Sequence, residues 1–166
     1  MNLQSDDFEI FDLPARFALD EAELTRRRAA LQRQVHPDRF AAQGAAAQRV
    51  AMQWSARINE AYRRLHDPLL RATYLCERAG EKIDGAAAAP EVLQRQLDWH
   101  ERLEAARAAH DDAAMMQLKN EAAAAQQRLR AQIGQALDVD HDAAAAAQHV
   151  RELMFVNKIA QSLNAG

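Results

Sequence analysis

The residues best placed to do chemistry are three neighbours, His36, Pro37 and Asp38. Pro37 stiffens the backbone between an imidazole and a carboxylate. Asp38 can accept a hydrogen bond from an arginine or a backbone N–H of a partner. The same tripeptide also serves as a plain helix–helix turn in which His36 satisfies a loop hydrogen bond. Its meaning therefore depends on what flanks it. The other histidines (66, 100, 110, 141 and 149) form no His-Glu-x-x-His pair. Asp140-His141-Asp142 reads as a helix-capping turn before it reads as a metal site. The single Cys76 has no disulfide partner in the chain and excludes a Cys-rich zinc module. Beside Tyr74 and Leu75 it reads as a small packed hydrophobe. No Gly-rich phosphate loop occurs, so the chain is not expected to hydrolyse ATP. The expectation is a binding protein: no catalytic residue, no metal ligand, no cofactor.

Charge says what it binds. Residues 24 to 40 hold five arginines (Arg26, Arg27, Arg28, Arg33, Arg39) against one acid, Asp38, while the whole chain carries −3. A basic patch on an otherwise acidic protein suggests one acidic partner rather than general affinity for nucleic acid. A helical nucleic-acid binder using Arg26, Arg27, Arg28 and Arg33 is the competing reading.

The elements that must position these residues are helical. Of 166 residues 49% are apolar, but 38 of them are Ala, the best helix former. Val, Ile and Thr together number only 13, and strands are usually rich in them. The composition predicts an all-α chain. Phe8 to Leu13 reads as a short helix stopped by Pro14. Asp20 with Glu23 three residues on reads as a capping box. Leu24, Leu31 and Val35 then share one stripe, and Arg26 and Arg33 share another face. Pro37 ends this helix near Val35. The residues from Pro37 to Gly44 read as a loop. A long helix follows over about 45 to 65, with Val50, Trp54, Ile58, Ala61, Tyr62 and Leu65 as its stripe. Two such helices pack as an antiparallel hairpin with His36-Pro37-Asp38 exposed at its tip. Pro68 opens another helix, with Gly80 as its cap.

Residues 81 to 89 read as a linker, and Pro90 as the first residue of a new helix. Three helices are expected in this second bundle, over about 91–109, 112–137 and 143–164, with Asp111 and Asp142 as caps. On the first, Val92, Trp99, Leu103 and Ala106 suit a core. Leu93, Leu97 and Glu101 fall about 100° to 180° away. On the last, Val150, Leu153, Val156, Ala160 and Leu163 make the core stripe, and Phe155 points away from it. Off-stripe leucines beside an off-stripe aromatic make a candidate binding patch, or else they close a contact with another helix.

The flanks give the tripeptide its meaning. Residues 8 to about 76 resemble a J-domain. Leu13-Pro14-Ala15-Arg16-Phe17, Leu19-Asp20, Leu31-Gln32-Arg33 and His36-Pro37-Asp38-Arg39-Phe40-Ala41 resemble the HscB family, J-domain co-chaperones of iron–sulfur cluster assembly. Val150-Arg151-Glu152-Leu153-Met154-Phe155-Val156 resembles the same family.

The resemblance implies an N-terminal J-domain over 1–78, a linker over 79–90 and a C-terminal three-helix scaffold-binding domain over 91–166. It implies two partners, an HscA-like chaperone of the DnaK type and an IscU-like iron–sulfur scaffold protein. By motif position His36, Pro37 and Asp38 stimulate the chaperone's ATPase, and the basic face with Arg26, Arg27, Arg33 and Arg39 docks on it. Arg39 stands where J-domains most often carry Lys, which keeps the charge. Leu93, Leu97, Asp98, Glu101 and Phe155 match the family's scaffold-binding positions. Gln94 replaces an apolar residue there and Ala105 an acid, so the patch is smaller or less acidic. A J-domain protein with a different client is the alternative reading. No apolar run approaches the ~20 residues that span a bilayer. Met1 to Asp7 lacks the basic and apolar regions of a secretory signal. A cytoplasmic protein is expected, with no membrane and no nucleic acid among its partners.

Overall fold

Short polar side chains set where the helices begin. The computed structural model describes residues 2–85 and 90–164, and the regular structure among the described residues is entirely helical. The chain divides into two compact units, residues 1–74 and 75–166.

In the first unit, α1 (Asp7–Ile10) starts at Asp6. The Asp6 carboxylate accepts from the Phe8 and Glu9 N–H groups at 2.9 and 3.1 Å. Glu9 reaches back to the Asp6 N–H at 3.3 Å, which completes a capping box. One turn cannot stand alone in water. Here it is held by burying Phe8, Ile10 and Phe11. Asp7 is also buried, and it pairs with Arg57 at 2.8 Å and Arg64 at 3.0 Å.

α2 (Glu21–Gln34) begins at Asp20, which accepts from the Glu23 N–H at 3.0 Å. The expected box is only half made, because Glu23 gives its carboxylate to Arg26 and Arg27 instead. α2 stops at Val35, two residues before Pro37. The next segment, Pro37–Gln43, is a 3₁₀ helix where a loop was expected. Pro37 supplies a helical φ at the first position, and the Arg39 N–H closes a three-residue turn onto the His36 carbonyl at 3.0 Å. Gly44, at φ 93°, ends it.

α3 (Ala45–His66) packs antiparallel to α2. Thr25 meets Tyr62, Arg28 meets Asn59 and Gln32 meets Ser55, so the partners descend α3 as they ascend α2. Leu24, Val35, Ala51, Ile58, Ala61 and Leu65 form the hairpin core. The expected stripe is one residue out at its start, since Val50 is 51% exposed and Ala51 is buried. Ala51 stands seven residues, two full turns, before Ile58, and Val50 stands eight.

α4 (Pro68–Arg78) begins after Asp67, whose carboxylate accepts from Leu69 and Leu70 at 2.8 and 3.0 Å. It ends in a Schellman turn. Gly80, at φ 91°, donates to Glu77, and Glu81 donates to Cys76.

In the second unit, α5 (Pro90–Ala108), α6 (Asp112–Asp138) and α7 (Ala143–Asn164) form a three-helix domain. Asp111 caps α6 through the Ala114 N–H and Asp142 caps α7 through the Ala145 N–H, each at 2.9 Å. α6 and α7 share the larger interface. Leu118, Leu129 and Ile133 of α6 and Val150, Leu153, Val156 and Leu163 of α7 are buried in the domain core, with the smaller Ala122, Ala125, Ala146 and Ala147. Ile159 is buried where Ala160 was expected, and Ala160 is half-buried. α5 rises in parallel with α7, as the Arg95–Glu152 pair at 3.4 Å and the Arg107 bond to the Ser162 carbonyl at 2.7 Å show. Two residues of the expected linker, Lys82 and Ile83, are held in place. Ile83 is buried, and the Lys82 carbonyl accepts from Arg151 at 3.0 Å. Its residues 86–89 lie outside the described residues.

Cys76 is fully buried. Burial pushes its thiol up to about 11; Glu81 and Glu77 add to this and Arg151 opposes it. The folded state thus keeps the thiol protonated while an unfolded one ionises above about 8.5. That contribution is complete below the unfolded value and is lost as pH rises toward 11. The melting temperature of the native chain is expected to fall more steeply than that of Cys76→Ala between pH 8.5 and 10.5. Parallel slopes in the two melting series would refute the assignment.

Candidate functional site

The tripeptide sits where the hairpin turns. Val35 is buried and anchors the end of α2. His36 is extended at φ −61° and ψ 126°, which its proline neighbour requires. The Asp38 N–H donates to His36 Nδ1 at 3.3 Å, and the Asp38 carboxylate lies 3.5 Å from the same nitrogen. The side chains remain open to a partner, with His36 58% and Asp38 90% exposed. Arg39 donates to the Arg33 carbonyl at 3.1 Å, which ties the 3₁₀ segment to the last turn of α2.

The arginines divide by what they already hold. Arg26 is 70% exposed and paired to Glu23. Arg33 is exposed, seven residues along on the same face. Arg27 is largely committed inside the unit. It donates to Glu23 at 2.6 Å, to the Phe11 carbonyl at 2.7 Å and to the Asp12 backbone and carboxylate. Arg28 lies 4.4 Å over the Tyr62 ring and bonds Asn59. Arg27 first, then Arg26, holds the Glu23 carboxyl below its usual range. The face presented outward is therefore Arg26 and Arg33, with Arg39 at the tip.

In the second unit, Leu93 and Leu97 are 53% and 52% exposed on α5. Asp98 and Glu101 are exposed beside them, and Asp98 lies 3.6 Å from Arg102. Phe155 stands in the cleft between α7 and α5. It is half-buried and lines a small cavity of about 60 Å³ with Val92, Gln96 and Trp99 of α5 and Ala125 of α6. The physical reason is that α5 runs along the flank of α7 that carries Glu152 and Phe155. The Phe155 ring meets His100 edge-on at 5.6 Å and 72°. His100 was not singled out in the sequence. Its only signal is its place one turn beyond Leu97.

Residues 88–164 match the HSCB C-terminal oligomerisation domain family. The chain is 51% identical over 164 residues to the co-chaperone protein HscB homolog of Bordetella petrii, covering 96% of this chain and 95% of that one. The chain belongs to the HscB co-chaperone family. The HscB homolog of Burkholderia multivorans is 46% identical over 172 residues, covering 99% and 95% of the two chains. The structure of chaperone HscB from Vibrio cholerae superposes with a TM-score of 0.85 at 34% identity, covering 97% and 96%. Human co-chaperone HscB has the same fold, with a TM-score of 0.89 at 24% identity. The HscB architecture, a J-domain followed by a C-terminal helical domain, is thus the architecture of this chain. Among the described residues no helix is long and apolar enough to cross a membrane, and no group of three or more His, Cys, Asp or Glu could hold a metal.

Proposed function

We propose that this chain stimulates the ATPase of a dedicated, HscA-like chaperone of the DnaK type. In this reading it delivers an IscU-like iron–sulfur scaffold protein to that chaperone in the cytoplasm. It performs no catalysis itself and carries no cofactor. The observation that carries the reading is an exposed His36-Pro37-Asp38 at the tip of the α2–α3 hairpin, beside outward arginines, in a chain of the HscB family. The J-domain is assigned to 1–78, the linker to 79–90 and the scaffold-binding domain to 91–166. His36, Pro37, Asp38, Arg26, Arg33 and Arg39 meet the chaperone, with Arg27 acting mainly as a tie within the J-domain. Leu93, Leu97, Asp98, Glu101 and Phe155 meet the scaffold.

The test is ATP turnover by the chaperone, with this protein and the scaffold added separately and together. Synergy between the two supports the reading. Stimulation by this protein with no effect of the scaffold favours a different client, a reading that Gln94 and Ala105 within the patch make specific. Leu97→Ala combined with Phe155→Ala is expected to weaken scaffold binding at least tenfold in calorimetry, since two apolar anchors are truncated. Unaltered affinity would also favour the different client.

A further inference from the structure

Leu93 and Leu97 lie on the outer side of α5, and Phe155 lies in the cleft where α5 meets α7. Something must join them if they form one surface. His100 is the residue that does. It follows Leu93 and Leu97 at i+7 and i+3, so the three share one row along the helix. Its own side chain is exposed, yet its ring packs edge-to-face on Phe155. An aromatic pair at this separation and tilt has a favoured geometry, and it limits how Phe155 can rotate. The row is bordered by Asp98, Glu101 and Glu104, all exposed.

We propose that His100 is a positioning residue of the scaffold-docking surface. It carries the Leu93–Leu97 row across to α7 and holds the Phe155 ring edge where the scaffold meets it. The partner is the scaffold protein, which must offer an apolar patch to this row and cationic or N–H groups to the acids around it. The inference rests on the proposed scaffold-binding reading.

The test is calorimetric titration of the full-length protein with the scaffold, for native chain, His100→Ala, His100→Phe and Leu97→Ala. His100→Ala is expected to weaken binding about fivefold, the scale of one aromatic pair. His100→Phe restores the ring and is expected to recover most of the affinity. Melting temperatures should barely move, because the residue is exposed. Weakening by Leu97→Ala with none from His100→Ala overturns the inference and leaves the scaffold reading standing. Loss in His100→Ala that His100→Phe does not recover also overturns it, since the ring contact is then not the cause. No weakening from Leu97→Ala removes the scaffold reading, and the inference with it.

Discussion

His36→Gln is expected to leave the partner chaperone at its basal ATP turnover while the variant melts with the native chain. Both halves of that result come from the geometry. The imidazole and the Asp38 carboxylate are mostly solvent-exposed, and their contacts are with each other rather than with the core. Exposed substitutions of this kind usually shift stability by less than about 0.5 kcal/mol. What they remove is recognition. A carboxylate docked against a partner's arginine or N–H leaves that group unpaired when its charge is deleted, which costs about 2–5 kcal/mol at an interface. A loss of that size is more than tenfold in affinity. Asp38→Asn is the sharper probe, because the N–H bond to His36 comes from the backbone and survives the change. Steady-state ATPase assays with circular dichroism melts read both quantities, and normal stimulation by either variant would remove the J-domain mechanism. Salt provides an independent arm. Arg26 and Arg33 face outward, so the concentration needed for half-maximal stimulation should rise with ionic strength. A nucleic-acid binder using the same arginines would also lose affinity with salt, but its binding would survive His36→Gln.

Helix boundaries were legible because local chemistry writes them. Asp20, Asp111 and Asp142 cap where the sequence places caps, and Pro90 and Gly80 open and close as their backbones dictate. Local rules failed where two local partners compete. Glu23 had to choose between the Asp20 N–H and two arginines, and the charged pair won. Stripes were legible to within one residue. Ala51 and Ile159 displaced Val50 and Ala160 because neighbours on one flank differ by only ~100° and the core selects by fit, not by apolarity alone. The tripeptide was legible as exposed but not as 3₁₀, which leaves no period of its own in seven residues. Arg27 and Arg33 read alike as members of a basic run. Only the fold shows that Arg27 is spent on carbonyls of the α1 turn. Phe155 read only as off the core stripe, free for a partner or closing a contact with another helix, because the position of α5 against α7 is not written in α7. His100 was invisible for the same reason, since its partner is 55 residues away.

Asp7→Ala is expected to cost the J-domain about 3 kcal/mol or more, the scale of breaking a buried ion pair by removing one partner. Nothing in the sequence marks Asp7, which reads as one more acid at a helix start. In the fold it has no exposed surface and meets two guanidinium groups at 2.8 and 3.0 Å. Arg57 and Arg64 stand seven apart on α3, so they project from one face toward α1. Each is tied elsewhere as well. Arg57 donates to the Leu3 and Ser5 carbonyls, and Arg64 bonds Glu60 and lies 5.0 Å over the Tyr74 ring. Tyr74 in turn accepts the Asp7 N–H at 3.1 Å and stacks on Phe8. Removing the carboxylate leaves two like charges side by side, 19% and 30% exposed, at the seam that holds α1 to α3. Partial exposure gives them some water, which argues for the lower end of the range. The seam also bears on the proposed docking face, because the α1 turn supplies the carbonyls that fix Arg27 beneath the outward side of α2. Urea unfolding measures the cost. A loss under about 1 kcal/mol would mean that the pair behaves as a surface bridge and that α1 is held by Phe8, Ile10 and Phe11 alone. If instead the cost is large, Arg64→Met in the Asp7→Ala background should recover part of it, since one of the two neighbouring like charges is then removed with its stem volume kept.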